Sequence, residues 1–328
     1  MRHTVQLDVH LTEADAERAL REDAREGLRA TPKNLPPKWF YDAHGSALFE
    51  RITQLPEYYP TRTEAALLAA AVDEIARATG AHTLVELGSG SSTKTRLLLD
   101  AFTRTGTLRT YVPQDVSESA LRLAMDALAP DYPGLALHGV VGDFTRHLDR
   151  LPGTGSGGPQ RMVAFLGGTI GNLVPAEQRA FLSALRAVLE PGEHLLLGVG
   201  LVVPEEVVVP AYDDAAGVTA EFNRNVLRVL NRELGADFDV DAFAHVALWD
   251  PRHEWIEMRL RATRAMTVHL PAIDLVVRFA QGEQLRTEIS AKFRPGGVRE
   301  LLGGTGFELT RWWTDPDERF GLALATTV

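Results

Sequence analysis

Three observations in the sequence predict an α/β protein with a doubly wound core and a second α+β domain. From residue 83 onward, short continuous apolar runs alternate with helical patterns, which is typical of parallel strands covered on both faces. After Gly200 apolar and polar residues alternate instead, which indicates an antiparallel sheet with one solvated face. Gly88 and Gly90 form a Gly-x-Gly turn after the first core strand, where a backbone can approach a ligand closely.

The segment before the core is predicted to be helical. Residues 12–28 have the periodicity of an amphipathic helix with Thr12 as its N-cap, and the three prolines that follow interrupt it. A short helix over 47–53 and a proline-containing connector then lead into an Ala-rich helix that ends near Gly80.

The core is predicted to alternate strands with helices. The strands cover 83–87, 109–117, 135–144, 161–173 and 194–200. The helices cover 93–102, 118–129 and 175–189, the first of them capped by Thr93.

The rest of the chain is predicted to add an antiparallel sheet and then to return to the core. A helix over 218–234 precedes strands over 242–250, 254–262, 266–270, 274–280 and 284–293. A helix over 295–306 and a hairpin of 307–313 and 321–327 close the chain. We therefore predict a core of 60–200 and 295–328, and a second domain of 1–59 and 201–294.

Composition excludes several functional classes. The 328 residues carry a net charge of −10 and no basic block, which disfavours nucleic-acid binding. The absence of cysteine excludes disulfides, Cys-ligated zinc and thiol catalysis, and the ten histidines show no metal-binding spacing, so no metal is expected. Without a signal-peptide pattern or a long apolar run, we expect a cytoplasmic monomer that does not bind a membrane.

The glycine turn "ELGSGSSTK" (86–94) fits neither common phosphate-binding loop. A dinucleotide fingerprint places a third glycine where this sequence has Thr93, and the Walker pattern is missing. Glu86 would repel a pyrophosphate, but it is compatible with a phosphate-free cation such as S-adenosylmethionine. A nicotinamide-dependent oxidoreductase is the alternative that Glu86 and Thr93 disfavour.

Carboxylates end three successive core strands, at Glu86, Asp115 and Asp143. Ligands of doubly wound sheets bind at this edge, where Asp115 would contact ribose hydroxyls and Asp143 with Phe144 would hold adenine. Each acid alone could be a solvated loop residue. Three in succession after a Gly-x-Gly turn favour a cofactor site.

Long motifs then indicate a family. They are "LPPKWFYDAHGSALFERITQLPEYYPTRTE", "LVELGSG", "FLGGTIGNL", "AYDDAAGVTAEFNRNVLRVLNREL", "EISAKF" and "WWTDP". Over residues 15–327 the chain resembles the histidine-specific N-α-methyltransferases of ergothioneine biosynthesis, which are class I enzymes with a Rossmann-like methyltransferase core and a second α+β substrate domain. The resemblance implies three methyl transfers from S-adenosylmethionine to the α-amino group of L-histidine and its mono- and dimethyl forms. The products would be hercynine and S-adenosylhomocysteine.

The resemblance also implies site residues. On the cofactor side they are Gly88, Lys94, Asp115, Asp143 and Phe144, with Glu86 added from the argument on charge. On the substrate side they are Tyr58, Gly167, Asn172, Tyr212, Met258, Glu288 and Ser290. Tyr41 would lie near the reacting amine, and Tyr41 and Tyr58 would be the catalytic residues.

Glu288 and Ser290 project from one face of a predicted strand. The carboxylate could accept a hydrogen bond from one imidazole nitrogen while the hydroxyl serves the other. The strand alone favours a solvated face that includes Lys292, and the resemblance reverses this interpretation. The same reaction on another aromatic amino acid remains an alternative.

The other predicted substrate residues have ordinary interpretations as well. Asn172 and Tyr212 could donate to an α-carboxylate, or serve as a turn residue and a packing anchor beside an Asp pair that caps the next helix. Tyr41, Phe49 and Tyr58 could face a quaternary ammonium group and stabilise it by about 0.5–2 kcal/mol each. The two tyrosines could also relay a proton. The chain departs from the family pattern at Val199, Gly200 and Gln114, which concerns the cofactor side.

Overall fold

The computed structural model describes residues 5–90, 94–153 and 160–328. Its helices in these ranges, α1 to α9 in chain order, are Glu13–Arg29, Ala43–Thr53, Tyr59–Thr79, Thr95–Thr105, Glu118–Leu128, Pro175–Val188, Glu205–Tyr212, Val218–Leu234 and Pro295–Gly303. Its strands there, β1 to β13, are Val5–Val9, Thr83–Leu87, Thr110–Asp115, Ala136–Val141, Arg161–Phe165, His194–Gly200, Phe243–Asp250, Trp255–Ala262, Met266–Leu270, Leu275–Phe279, Gln284–Ala291, Phe307–Thr314 and Phe320–Thr327. The chain forms two compact units.

The first unit, Met1–Thr12, Arg62–Leu201 and Phe293–Val328, contains an eight-stranded sheet. The strand order is β1-β4-β3-β2-β5-β6-β13-β12, in which β1 to β6 are parallel and β13 runs antiparallel to β6. The order reverses around β2, so the turns after β2 and β5 lie at a topological switch point. The predicted doubly wound α/β core is confirmed.

Alternating side chains of these strands enter two separate hydrophobic clusters. On β2, Leu84 packs in a cluster with residues of α3, α4 and α5, whereas Val85 packs with residues of α6 and α9. Because neighbouring residues of a strand point to opposite faces, the two clusters cover the two faces of the sheet. Buried on both faces, the strands show the continuous apolar runs seen in the sequence.

Residues 5–12 lie in the first unit, whereas the sequence analysis assigned 1–59 to the second domain. Strand β1 pairs in parallel with β4, with Val5 opposite Leu137 and Val9 opposite Val141. This edge strand was not predicted because its side chains are only partly buried and give no core signal.

The second unit, Glu13–Thr61 and Val202–Lys292, is built around α8. Phe222, Val226 and Leu230 are buried on this helix, in one core with α1, α2 and the strands. The sequence predicted one antiparallel sheet, but the strands form two: β11-β8-β7 and the hairpin β9-β10. Apolar alternation predicts strands but not which strands pair, and pairing is a tertiary choice.

Helix boundaries in the second unit depend on local capping. Asp214 accepts hydrogen bonds from the backbone N–H groups of Val218 and Thr219, which confirms the predicted cap of α8. Helix α7 was not predicted because Pro210 lies within it and its apolar run lacks helical periodicity. The predicted cap at Thr93 falls outside the described residues.

Candidate active site

The Gly-x-Gly turn is held to the end of strand β3. The backbone N–H of Gly88 donates to the Gln114 carbonyl at 2.8 Å, and that of Gly90 donates to Asp115 Oδ2 at 3.1 Å. Asp115 Oδ1 accepts from the N–H of Ser117 at 3.1 Å. Both glycines have positive φ (69° and 50°), which favours glycine at these positions. Asp115 thus fixes the turn, and burial raises the pKa of its carboxyl group.

Glu86 lies beneath this turn and is almost fully buried. Its Oε2 accepts hydrogen bonds from the Tyr111 hydroxyl at 2.6 Å and from the Thr95 hydroxyl at the start of α4. Burial raises the pKa of this carboxyl group, which Lys94 opposes. The predicted cofactor acid therefore joins β2, β3 and α4 in addition to any contact with a ligand.

Glu64 is a central residue of this edge that the sequence analysis missed. It is fully buried on α3, where it forms an ion pair with Lys94 and accepts a hydrogen bond from the Gly167 N–H at 2.7 Å. A Cβ atom at Gly198 would lie 2.3 Å from Glu64 Oε1, so the glycine makes room for the carboxylate. Glu64 thus connects two predicted site residues, Lys94 and Gly167.

A signal for Glu64 was present in the sequence. It stands on the stripe of α3 that contains Leu68, Val72 and Ile75, at i+4, i+8 and i+11, all of them buried. A carboxylate on the apolar stripe of a helix is costly unless it has a partner, so it marks a site.

Asp143 and Phe144 follow β4, as predicted. Asp143 Oδ1 accepts hydrogen bonds from the N–H and hydroxyl of Thr145, at 2.8 and 2.6 Å. The half-buried ring of Phe144 packs edge-on against Phe165 and Phe181, with centroids 5.1 and 5.8 Å apart. The pair therefore forms a rigid corner at the same sheet edge as Asp115.

Orphan polar atoms at this edge fit a polar cofactor such as S-adenosylmethionine. The side-chain oxygen and nitrogen of Gln114 and the hydroxyl of Ser89 are buried without a hydrogen-bond partner in the described part of the chain. Such groups are normally paired, so a ligand with donors and acceptors would satisfy them. Two acids at strand ends, Asp115 and Asp143, suit ribose hydroxyls and an adenine amine.

Gly167 and Asn172 follow strand β5. Gly167 has φ of 79° and directs its N–H at Glu64. Asn172 ends a 3-10 turn and is half-buried, and no described residue hydrogen-bonds to its side-chain amide. The amide is therefore available to donate to a ligand.

In the second unit, Glu288 and Ser290 lie on one face of β11, and both are buried (9% and 6% exposed). The alternative of a solvated face is therefore wrong. Met258 on β8 stands directly opposite Glu288 and is also buried. Burial raises the pKa of the Glu288 carboxyl group to about 8, and within the described ranges no donor hydrogen-bonds to it.

Lys292 extends this face and is also buried (7% exposed). Its Nζ donates to the Ser290 hydroxyl at 2.7 Å and to the Tyr212 hydroxyl at 2.9 Å. The Tyr212 hydroxyl in turn donates to Ser290 Oγ at 2.9 Å. The sequence analysis placed Lys292 only on a possible solvated face, and a lone lysine after a strand gave no signal of this network.

Aromatic rings surround this polar group. Tyr58 packs edge-on against Tyr212 and Phe49, with ring centroids 6.1 and 6.2 Å apart. Phe49 also contacts Tyr41 at 5.6 Å, and Phe222 of α8, which was not predicted, contacts both. The structure thus brings Tyr41, Phe49 and Tyr58 together. Such faces can stabilise a cationic ammonium group.

The ionisation of Tyr58 limits its chemistry. Burial raises the pKa of its hydroxyl well above the ordinary value, and the neighbouring Tyr212, Tyr41 and Glu288 raise it further. The phenol is therefore neutral near pH 7. It can position an amine by hydrogen bonding. The ionised phenolate, which could act as a base, would be only a small fraction of the Tyr58 population.

Residues outside the predicted set hold Tyr212 and Tyr41 in place. His245 hydrogen-bonds to the Tyr212 carbonyl through Nε2 and to Asn223 through Nδ1, each at 2.8 Å. Asn225 of α8 donates to the carbonyl of Phe40 at 3.0 Å, the residue before Tyr41. Asn223 and Asn225 both lie in the motif "FNRN" of α8, so this one helix anchors the backbone at Tyr212 and beside Tyr41.

The described residues contain no helix of the length and apolarity that a bilayer crossing requires. They also contain no group of three or more His, Asp or Glu side chains arranged to hold a metal ion.

Comparison with known proteins shows the family of the chain. A sequence model described as histidine-specific methyltransferase, SAM-dependent, matches residues 20–327. The chain is 55% identical to the histidine N-alpha-methyltransferase of Mycolicibacterium smegmatis over 98% of this chain and 99% of that protein. Identity to that of Mycobacterium tuberculosis is 53%, over 96% and 97%. Identity to ergothioneine biosynthesis protein 1 of Neurospora crassa is 30%, over 89% of this chain and 33% of that protein. The chain therefore belongs to the histidine-specific, S-adenosylmethionine-dependent methyltransferases.

Proposed function

We propose that this enzyme transfers three methyl groups to the α-amino nitrogen of L-histidine and gives hercynine for ergothioneine biosynthesis. The observation that carries the proposal is Glu288, a buried carboxylate that no described donor satisfies, beside the hydroxyl of Ser290. A carboxylate and a hydroxyl on one strand face suit a ring with one N–H and one acceptor nitrogen. The family of the chain and its most similar relatives support the same substrate.

The cofactor side belongs to the first unit. The glycine turn, Asp115, Asp143 and Phe144 would hold the nucleoside, and Lys94 with Glu64 would stabilise the adjoining Gly167 loop. When bound, S-adenosylmethionine supplies an electrophilic methyl group on a sulfonium. The residues of this chain bind, orient and exclude water, which is where most of the acceleration of such a displacement arises.

On the substrate side, Glu288 and Ser290 would hold the imidazole, with Met258 packing beside it. Tyr212 was predicted to donate to the α-carboxylate. Its hydroxyl donates to Ser290 in this structure, so it would have to turn to reach that group. Tyr41, Tyr58 and Phe49 would face the amine as it becomes a quaternary cation.

The amine must be neutral to attack, and each transfer releases one proton. Because burial keeps Tyr58 protonated, we assign it to positioning the amine, and the proton would leave through water or Tyr41.

The test is incubation of the purified enzyme with S-adenosylmethionine and L-histidine, followed by mass spectrometry. We expect species with one, two and three added methyl groups, and an equal amount of S-adenosylhomocysteine per methyl. A panel of other aromatic amino acids is the control. No methylated histidine, or faster methylation of another amino acid, would contradict the proposal.

A further inference from the structure

The polar group of the second unit contains one residue without an assigned role. Lys292 lies at the end of the strand face that carries Glu288 and Ser290, and its ammonium nitrogen is also 4.9 Å from the Tyr212 ring centroid. A fully buried lysine is rare and must be compensated. Two hydroxyls accept its hydrogen bonds. Burial lowers the pKa of the ammonium group, and the nearby Tyr59 and Glu288 oppose that shift.

We propose that Lys292 is a positioning residue of the imidazole site, which turns the Ser290 proton toward the acceptor nitrogen of a neutral imidazole. The inference rests on the proposed function, and it adds the protonation form of the ring that the site selects.

The reasoning starts from what each group can donate. A lysine ammonium has donors and no acceptor, so a hydroxyl that contacts it must use a lone pair. Ser290 Oγ accepts from Lys292 at 2.7 Å and from the Tyr212 hydroxyl at 2.9 Å. Both lone pairs are then occupied, and the Ser290 proton remains for another partner.

The Tyr212 hydroxyl is constrained in the same way. It accepts from Lys292 at 2.9 Å, so its own proton is also kept for a different acceptor. If a substrate carboxylate draws that proton away, Ser290 still cannot donate to Lys292, and the lysine N–H already occupies one lone pair of the Tyr212 oxygen. In both arrangements the lysine therefore favours a serine proton that is directed at the ligand.

Glu288 completes the recognition. As a carboxylate it only accepts, so Glu288 and Ser290 present one acceptor and one donor on the same face. A neutral imidazole carries one N–H and one acceptor nitrogen, and it satisfies both groups. An imidazolium has two donors and would leave the Ser290 proton unmatched, which is costly in a buried site.

The experiment is a double-mutant cycle on the full-length enzyme, with KM and kcat measured for histidine at saturating S-adenosylmethionine. We expect Lys292→Met to raise KM for histidine by about tenfold, near the upper end of the net contribution of one hydrogen bond between neutral groups, while kcat changes little. In a Ser290→Ala background the same substitution should raise KM less than about twofold, because the lysine acts through the serine. Losses that multiply in the double variant would overturn the inference.

Matched variants separate this role from a structural one. Lys33→Met removes a lysine that is ion-paired with Glu283 in the same unit, and it should leave KM for histidine unchanged. Lys292→Arg keeps the donors and should restore KM to within about threefold of wild type, whereas Lys292→Gln, which can accept the serine proton, should not. If Lys292→Met does not fold, the Arg and Gln pair decides, and equal KM values for the two would overturn the inference.

The wild-type assay distinguishes the two levels of the proposal. Absence of histidine methylation by the wild type would overturn the proposed function and this inference together. Methylation by the wild type with an unchanged KM in Lys292→Met would overturn the inference alone.

Discussion

The polar edge of the first unit and the polar face of the second differ in how their carboxylates are satisfied. In the first unit, Glu64, Glu86 and Asp115 all accept hydrogen bonds from protein groups. In the second unit, Glu288 is equally enclosed but receives no hydrogen bond from the described residues. The difference is the one expected if the first set builds a rigid edge and Glu288 serves the proposed ligand.

The largest expected effect on stability comes from removing Glu64 from the rigid edge of the first unit. Glu64→Ala would leave Lys94 and the Gly167 N–H without their partner, and we expect a loss of about 3 kcal/mol in the free energy of unfolding. The measurement is denaturant unfolding without ligand. Glu74→Ala on the same helix removes an exposed ion pair with Arg311 and should cost less than about 1 kcal/mol. Equal losses for the two variants would contradict the central role of Glu64.

The second prediction removes the unsatisfied carboxylate. Glu288→Ala should lower kcat/KM for histidine by about 100-fold, because a site built to pair with a ring N–H loses its acceptor. The affinity for S-adenosylhomocysteine, measured by calorimetry, should remain the same. Glu283→Ala, one residue before β11, removes a carboxylate that is ion-paired with Lys33, and as the control it should leave kcat/KM near wild type. A uniform loss of cofactor and histidine binding would instead indicate misfolding.

The third prediction concerns pH. Burial raises the pKa of Glu288 to about 8, so in the free enzyme the proton leaves this carboxyl group as the pH passes that value. Because the carboxylate accepts the imidazole N–H more strongly than the protonated carboxyl group does, the affinity for histidine should increase with pH and level off above about 8. The gain is at most about tenfold per pH unit.

Calorimetry between about pH 7 and 9, with S-adenosylhomocysteine present, measures this dependence. Glu288→Gln cannot titrate, and its histidine affinity should lack the step. The ionisation of histidine itself is common to both proteins and cancels in the comparison. Identical pH profiles for the two proteins would refute the assignment.

The smallest expected effect concerns Gln114 in the first unit. Unlike the carboxylates of that unit, its buried side-chain amide has no hydrogen-bond partner among the described residues. Gln114→Leu should raise the free energy of unfolding of the ligand-free protein by about 1 kcal/mol, because a buried amide without partners is replaced by an apolar group. Gln178→Leu is the matched control. Gln178 is also buried but donates to the Leu173 carbonyl at 2.8 Å, so its loss should destabilise. Destabilisation by Gln114→Leu would show that the amide is satisfied in the ligand-free protein.

Much of this contrast was accessible from the sequence. Continuous apolar strands predicted the parallel sheet, and the Gly-x-Gly turn with acids at successive strand ends predicted a cofactor site at the carboxyl edge of that sheet. In both cases the signal lies within a few neighbouring residues, since strand periodicity and turn chemistry are local. Glu288 and Ser290 were proposed from the resemblance to a family and not from the local pattern of their strand.

Other features gave no local signal or a misleading one. β1 escaped detection because an edge strand is only partly buried, and the β7–β11 segments could not reveal that they form two sheets. On β11, alternation favoured a solvated face, but residues from α7 and β8 cover it. Burial of that face depends on chain segments about 30 and 80 residues away in sequence, which no local pattern encodes.

The sequence by itself determined the fold class, the glycine turn and the family, because these follow from periodicity and from contiguous motifs. Only the tertiary structure decided the partners of the buried charges: Glu64 with Lys94 and Gly167, and Lys292 with Ser290 and Tyr212. The physical reason is that burial and hydrogen-bond pairing arise between segments distant in the chain. The same carboxylate is a structural ion-pair partner or a ligand acceptor according to which donors the fold brings within about 3 Å of it.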